Sequence, residues 1–446
     1  MNDLRQHIEE IRLIDTHEHL EKESSYVEGG PDLLHVLFGH YIRADLVCAG
    51  ATEEAVARLV DSADSDLEKR FAPVQDAWKR CHHTGFGEAT RIIARRVYGS
   101  EQVTVDSLRD ALPRHEALRK PGERLRLLRD IAHLDHVQVD DTNVACLPDN
   151  SGPNFFLYDL SWLRFSRGEL HYESLKEHNG DGIRDLQSLD ATMESIFETF
   201  APCAVAVKTQ HAYDRTLRWE PRTRGDAGRA LQHVLRDPAG GDAEARLCLG
   251  DWCLARGCEL AARHNLPFKI HTGTYGGTNC MPIERIRAGH LCDLLRHHPD
   301  TRFILMHIAY PYSDELPVLV KHFANVYADL CWAWSINPHV TTDFVRSLIH
   351  SAPDHKVFAF GGDVWWPQQS VAYAAQGREG LRRALQAEVN EGLMSEQDAI
   401  HLATRFMRTN QEECFDLPGT RQAITAVSNT HLTLPTSDLV KISVVA

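Results

Sequence analysis

Short, wholly apolar runs recur along the chain, and four of them stop abruptly on an ionisable side chain. IRLIDTHEH (11–19) ends in His17 and His19, PFKIH ends in His271, RFILMH ends in His307, and HKVFAFGGD ends in Asp363. A run of four to eight apolar residues with no polar alternation is how a strand reads when both its faces are buried. Helical patterns with a longer period lie between these runs. They include ERLRLLRDIAHL, the segment from Asp185 to Phe200, LCLGDWCLARGCELAARHNL, IERIRAGHLCDLLRHHP, DELPVLVKHF and TTDFVRSLIHSAP. HVQVDD, FFLYDLSWLRF, CAVAVKT (203–209) and NVYADLCW supply the remaining strand signals, about eight in all. Strands alternating with helices at this spacing predict an α/β fold of the (β/α)₈ TIM-barrel type, distorted by a large helical insertion after strand one. An open doubly wound sheet is the alternative. It would carry a glycine-rich phosphate turn after an early strand, and THEHLEKESS has no glycine.

Residues 1–19 and 121–418 are expected to form the barrel, and 20–120 a helical insertion or lid. Within that insertion Thr52 reads as a helix cap, Gly99 as a helix stop, Thr104 or Asp106 as a second cap, and Pro113 as an interruption. Residues 222–246 read as a surface excursion around one short helical piece. Pro418–Gly419 reads as the end of the last helical stretch. Residues 419–446, which turn to Thr, Ser and Val, are expected to be a tail outside the domain or foreign to it.

Composition excludes several classes of function. Apolar residues make up 43% of the chain, enough for a sizeable core, and the formal net charge is −15. No basic stripe offsets that charge, so a nucleic-acid partner is not expected. No stretch of eighteen apolar residues occurs, so no membrane span is expected. MNDLRQHIEE lacks an apolar signal region, which makes a cytoplasmic location the expectation. The eleven cysteines contain no CxxC pair and read as reduced thiols. The expected partner is a small-molecule substrate.

The 26 histidines are the outlier, and most of them must be ordinary packing or surface residues. The signal is that His17, His19, His271, His307 and Asp363 all fall at the same end of separate strands. His17 and His19, two apart, would face the same way on a strand. In a barrel these ends surround one cavity. Imidazoles and a carboxylate suit one divalent ion, with Zn²⁺ expected, Mn²⁺ the alternative and a second ion left open. His17, His19, His271 and Asp363 are the expected metal ligands. Asp363 is also the candidate general base for a metal-activated water, and His307 the group that would polarise a carbonyl or hold an oxyanion. Lys208, closing CAVAVKT, would either be carboxylated as a bridge between two metals or bind an anionic substrate group. His211 and Arg215 in the next loop are candidates for recognising a carboxylate, and Trp365 and Trp366 for packing a sugar or aromatic face. Cys280 and Cys331 lie near strand ends but lack any local support as nucleophiles.

DTHEH (15–19), KIHTG (269–273), LMHIA (305–309) and GGD (361–363), taken in that order, resemble the amidohydrolase superfamily, in its amidohydrolase-related branch. VKTQHAY (207–213) is similar to the fourth-strand lysine segment of nodulin-like members, and the insertion after strand one is similar to that of uronate isomerases. The resemblance spans residues 11 to about 416. It implies a distorted barrel with one or two zinc or manganese ions and an oligomeric assembly. It also implies His17, His19, His271 and Asp363 as ligands or their neighbours, and His307 as a second-metal ligand or an acid–base group. The expected activity is hydrolysis of an amide, ester or lactone in a small carboxylated substrate. A uronate-type isomerase, a decarboxylase and a catalytically inactive binding barrel remain alternatives.

Overall fold

A computed structural model describes residues 3–170, 175, 182–237 and 242–433. Eight strands lie side by side in chain order: β1 (Leu13–Glu18), β2 (Leu134–Val139), β3 (Phe156–Ser161), β4 (Ala204–Thr209), β5 (Phe268–Ile270), β6 (Phe303–Leu305), β7 (Val326–Asp329) and β8 (Val357–Phe358). Each pairs with the next in parallel. The ring closes where the residues after β8 return to β1. Thr16 N–H donates to Phe360 O at 3.0 Å, Asp363 N–H to His17 O at 2.9 Å, and His19 N–H to Val364 O at 3.0 Å. This is the expected (β/α)₈ barrel. Its last strand is shorter than HKVFAFGGD suggests because Ala359 N–H turns away to Phe406 O at 2.8 Å.

The barrel interior is layered. Ile14, Leu157, Ala206, Ile304 and Phe358 meet from five strands and pack on Phe415, Leu417 and Ile424, which close one end. Above them lies a charged layer. Lys269 Nζ reaches across to Asp159 at 2.8 and 2.9 Å and to Thr16 O at 2.7 Å, and Thr16 Oγ1 donates to Asp329 at 2.7 Å. All of these side chains are fully buried, and the cost of stripping water from the ions is offset only because each has a close partner. The histidines form the layer above.

Between β1 and β2 the chain forms helices from Glu23–Glu28 to Val105–Leu118. Thr52 caps Glu53–Leu59 through Ala55 N–H, and Thr104 caps Val105–Leu118 in a capping box with Ser107. Gly99 adopts a left-handed φ of 75° that ends Gly85–Tyr98. Pro113 does not interrupt its helix, which runs through it from Val105 to Leu118. This layer is tied to the helix Pro367–Asn390 by Gln368 Nε2 donating to Tyr26 Oη (2.9 Å) and Gln369 Nε2 donating to Val36 O (3.1 Å).

Residues 222–246 are more regular than their polar composition suggests. A 13-residue helix covers Arg224–Arg236, and the following helix already begins at Ala243. Gly257 on that second helix lies against Trp162, where a Cβ would stand 2.3 Å from the indole nitrogen. Pro418 and Gly419 sit inside the first turn of a helix, Leu417–Thr433, and do not end the preceding one. Ile424 of this helix is buried on the barrel core. The tail beyond residue 433 lies outside the described residues. No helix among the described residues is long and apolar enough to cross a membrane, and the eleven cysteines are free thiols.

Candidate metal centre

The five strand-end residues converge. His17 Nε2 and His19 Nε2 lie 3.4 and 3.3 Å from Asp363 Oδ1, and His307 Nε2 lies 3.6 Å from Asp363 Oδ2. His307 Nε2 is 2.9 Å from His271 Nδ1. Two groups able to hold a metal ion result, His17–His19–Asp363 and His271–His307–Asp363, each with its ligand atoms within 4.8 Å of one another. His271 therefore joins His307, on the other oxygen of the shared Asp363, and does not fall in the first trio.

The hydrogen bonds around the rings set which nitrogen faces inward. His19 Nδ1 contacts Asp140 O at 2.7 Å, His307 Nδ1 contacts Cys331 O at 2.9 Å, and His271 Nε2 contacts Thr274 O at 3.1 Å. A carbonyl only accepts, so each of these nitrogens carries the hydrogen, and in the neutral ring the other nitrogen presents a lone pair. Burial pushes His307 down to about 4, and burial, with the His307 ring and Lys208 beside it, holds His271 well below the ordinary imidazole range. Both rings are thus neutral near pH 7. Two lone pairs then face each other across 2.9 Å, an arrangement that a shared proton or a cation beside them would relieve. Burial alone would raise the Asp363 carboxyl, but its hydrogen bond to His17 and its electrostatic contacts with His17, His307 and His19 hold it well below the usual carboxylate range. Neutral His19, His271 and His307 rings around a persistent carboxylate fit a divalent ion, so the donor chemistry matches the expected cofactor.

The frame beneath is built for position. Asp15 accepts from His17 N–H (3.1 Å) and Gly362 N–H (3.3 Å), and Glu18 accepts from Val364 N–H (2.8 Å) and Ser370 Oγ (2.7 Å). Burial pushes Asp15 up to about 7 and Glu18 well above the carboxylate range. These two carboxyl groups pin the turn after β8 onto β1. Gly362 is required there, since a Cβ would stand 2.2 Å from Glu18 Oε1. Asp363 (φ 57°) and the run His307–Ala309 (φ 61°, 48° and 53°) hold left-handed backbone, a local cost that the surrounding contacts sustain. Lys208 is buried with Nζ 3.1 Å from His17 Nε2, at the centre itself.

A cavity of about 800 Å³ opens onto His19 and Asp363. Its walls include Tyr41 and Arg43 from the inserted helices, Arg167 after β3, Gln210, Tyr213 and Asp214 after β4, and Trp365. Trp365 stacks over His19, with ring centroids 6.1 Å apart. Three expected substrate contacts do not line this cavity. Arg215 is tied to Asp251 at 2.5 Å and to Ser166 O at 3.1 Å, so its charge is already satisfied in the protein. His211 is buried, hydrogen-bonds Thr209 Oγ1 at 3.2 Å, and is held well below the ordinary imidazole range by burial and by Arg215 and Arg167. Trp366 turns toward Tyr26 and His35. The sequence reading missed Tyr41, Arg43, Arg167, Gln210, Tyr213 and Asp214. Only the last three carried a signal, their place immediately after a strand end.

Residues 184–396 match the family model described as Amidohydrolase. Over that segment, a little under half of the chain, the barrel is similar to the amidohydrolases. Among curated proteins the chain is similar to Protein fluG of Emericella nidulans, 22% identical over 283 residues. That match covers 58% of the chain and 32% of the relative, so the chain spans about a third of that protein's length. Among solved structures of the same fold, a uronate isomerase from Thermotoga maritima aligns with a TM-score of 0.76 at 14% identity, over 93% of this chain and 96% of that one. A glucuronate isomerase from Caulobacter crescentus aligns with a TM-score of 0.76 at 15% identity, over 93% of each chain. A protein assigned to the metal-dependent hydrolases, from Lactobacillus casei, aligns with a TM-score of 0.67 at 13% identity, over 94% of this chain and 99% of that one. At these identities the likeness to solved structures is one of fold.

Proposed function

We propose that this protein is an amidohydrolase-type barrel acting as a metal-dependent aldose–ketose isomerase of small sugar acids. The observation that carries the reading is the make-up of the cavity that opens onto His19 and Asp363 of the metal-competent trio. Arg43 suits an anionic group, Trp365 offers a flat face for a carbon chain, and Gln210 and Tyr213 offer partners for hydroxyls. Two structures of this fold come from proteins named as uronate isomerases, which supports the same substrate class. This replaces hydrolysis as the leading expectation.

His17, His19 and Asp363 would hold the ion, with His271 and His307 on the far oxygen of Asp363. When bound, a divalent ion supplies polarisation of a carbonyl and its neighbouring hydroxyl. Isomerisation removes a proton from the carbon beside the carbonyl and returns one to the former carbonyl carbon, with no net loss of atoms. Asp363, ionised at neutral pH, is the base for that carbon, because its Oδ2 is turned from the first trio toward His307. His307, neutral with Nδ1–H fixed on Cys331 O, takes up the hydroxyl proton at Nε2 and gives it back to the new hydroxyl. Tyr41 Oη donates to Asp363 O at 2.8 Å and holds the turn that carries the base.

Hydrolysis is the second reading, favoured by the match of residues 184–396 to the amidohydrolase family model. One assay separates the two. The protein is loaded in turn with Zn²⁺ and Mn²⁺ and incubated in D₂O with D-glucuronate or D-galacturonate, followed by proton NMR. The expected result is the ketose with solvent deuterium at the exchanged carbon. No conversion with either ion, together with hydrolysis of a sugar-acid lactone, would overturn the proposal in favour of the hydrolase.

A further inference from the structure

We infer that Arg43, carried by the inserted helical layer, is the residue that recognises the substrate's carboxylate, so that the insertion selects for acids. The inference rests on the sugar-acid reading above and names the group that enforces it.

The argument begins with the charges already spoken for. Of the cationic side chains expected to meet an acid, Lys208 lies beneath the centre against His17 and Arg215 is neutralised by Asp251. Arg167 lines the cavity, but its guanidinium is paired with Asp214 and has Glu169 at 4.0 Å. Arg43 also lines the cavity, and among the described residues no hydrogen bond or ion pair engages its guanidinium. Glu53, the acidic residue on the same wall, is bound to Asn279 Nδ2 at 3.1 Å. Among the described residues, Arg43 is therefore the cationic side chain of this lining that no carboxylate pairs.

Its place is fixed although its head group is free. Tyr41, two residues earlier, donates to the carbonyl of Asp363 at 2.8 Å and packs its ring on Trp332 and Trp365, with centroids 4.1 and 5.5 Å away. Arg43 then sits in the first turn of the helix Ile42–Cys48, whose Ile42 and Leu46 are buried in the insertion. The guanidinium is thus presented from a helix anchored to the metal ligand's own backbone. That gives a bound acid a direction: its carbonyl end lies at His19 and Asp363, and its carboxylate lies outward against the inserted layer. A planar guanidinium grips a carboxylate through two parallel hydrogen bonds, a geometry that lysine cannot reproduce.

The test uses metal-loaded full-length protein and two unreactive open-chain probes, D-gluconate and its neutral counterpart D-glucitol, measured by isothermal titration calorimetry. Wild type is expected to prefer the acid. Arg43→Met should lose about 10- to 100-fold in affinity for D-gluconate with D-glucitol unchanged, and Arg43→Lys should regain part of it. Equal gluconate binding by wild type and Arg43→Met overturns the inference, as does a wild type without preference for the acid. Circular dichroism of each variant separates a folding defect from lost recognition. The NMR assay reports separately on the isomerase reading. Turnover of D-glucuronate with gluconate affinity indifferent to Arg43 removes this inference alone. Absent turnover with an Arg43-dependent preference for gluconate removes isomerisation alone.

Discussion

His40 should make the fold acid-labile by an amount that can be calculated. It lies between the inserted layer and the helix Pro367–Asn390, with Nε2 3.0 Å from both Leu37 O and Thr90 Oγ1 and Nδ1 3.3 Å from Tyr373 Oη. The carbonyl of Leu37 fixes the hydrogen on Nε2, so Nδ1 accepts from the tyrosine and the ring is neutral. Burial lowers the imidazole to about 3, against the opposing hydrogen bond to Leu37. In the unfolded chain the group returns to about 6.5. Between these values the unfolded state binds a proton that the folded state refuses. Stability therefore falls as pH drops through this window and is fully present above it. At pH 4 the unfolded state gains about 2.5 pH units of proton binding, or roughly 3.4 kcal/mol, from this residue alone. Other buried groups also titrate, so the informative quantity is the difference between wild type and His40→Gln, whose amide can still donate to Leu37 O and accept from Tyr373. Urea unfolding of both proteins at pH 7 and pH 4 measures it. His40→Gln should be the less stable by about 1 kcal/mol at pH 7, from its imperfect packing, and the more stable by about 2 kcal/mol at pH 4. A stability gap that stays the same between the two pH values would refute the reasoning, because it would mean that His40 protonates equally in both states.

Asp159→Asn should cost about 3–5 kcal/mol by leaving the buried Lys269 ammonium without its counter-charge, and the double change Asp159→Leu with Lys269→Met should recover most of that; urea midpoints decide it. Gly257→Ala should destabilise by about 1–3 kcal/mol in thermal unfolding, because its methyl group meets the Trp162 indole at 2.3 Å with no flexible end to move aside. His17→Ala and His19→Ala should each lower bound zinc or manganese, measured by elemental analysis after dialysis, while the far-ultraviolet dichroism is retained. Full metal occupancy in the His17→Ala, His19→Ala double variant would refute the first trio as a site.

Much of the barrel was legible because strands buried on both faces leave no room for a polar side chain except at their ends. His17, His19, His271, His307 and Asp363 stood out for that reason, and the structure brings them together. Legibility failed where direction depends on a turn. After β4 the chain enters a 3₁₀ turn at His211–Tyr213, which sends His211 into the packing and Tyr213 to the cavity. Arg215, one turn further on, is drawn to Asp251, a partner 36 residues away that no local pattern reveals. Trp365 and Trp366 are adjacent, so one had to face away from the other, and sequence alone does not say which. Arg43 was beyond reach for a different reason. Periodicity gave the inserted helices their existence, but which residue of a short helix overlooks the barrel is decided by tertiary anchors such as Tyr41 on Asp363.

The architecture separates two tasks that one loop could not hold together. The ion-binding groups are set by strand ends that share a rigid charged layer, from Lys269 and Asp159 up to the carboxyl pair under His17 and Asp363. Changes there should alter whether an ion is held at all. The cavity's far wall comes from helices whose contacts with the barrel mouth include Tyr41 on Asp363 and Gln369 on Val36. Changes there can alter which molecule is admitted while the donor set stays intact. A barrel built this way can therefore keep one metal geometry and exchange substrates by rewriting a helical insertion. That makes substrate class a property to be read from Arg43 and its neighbours, because the histidines alone are compatible with more than one chemistry.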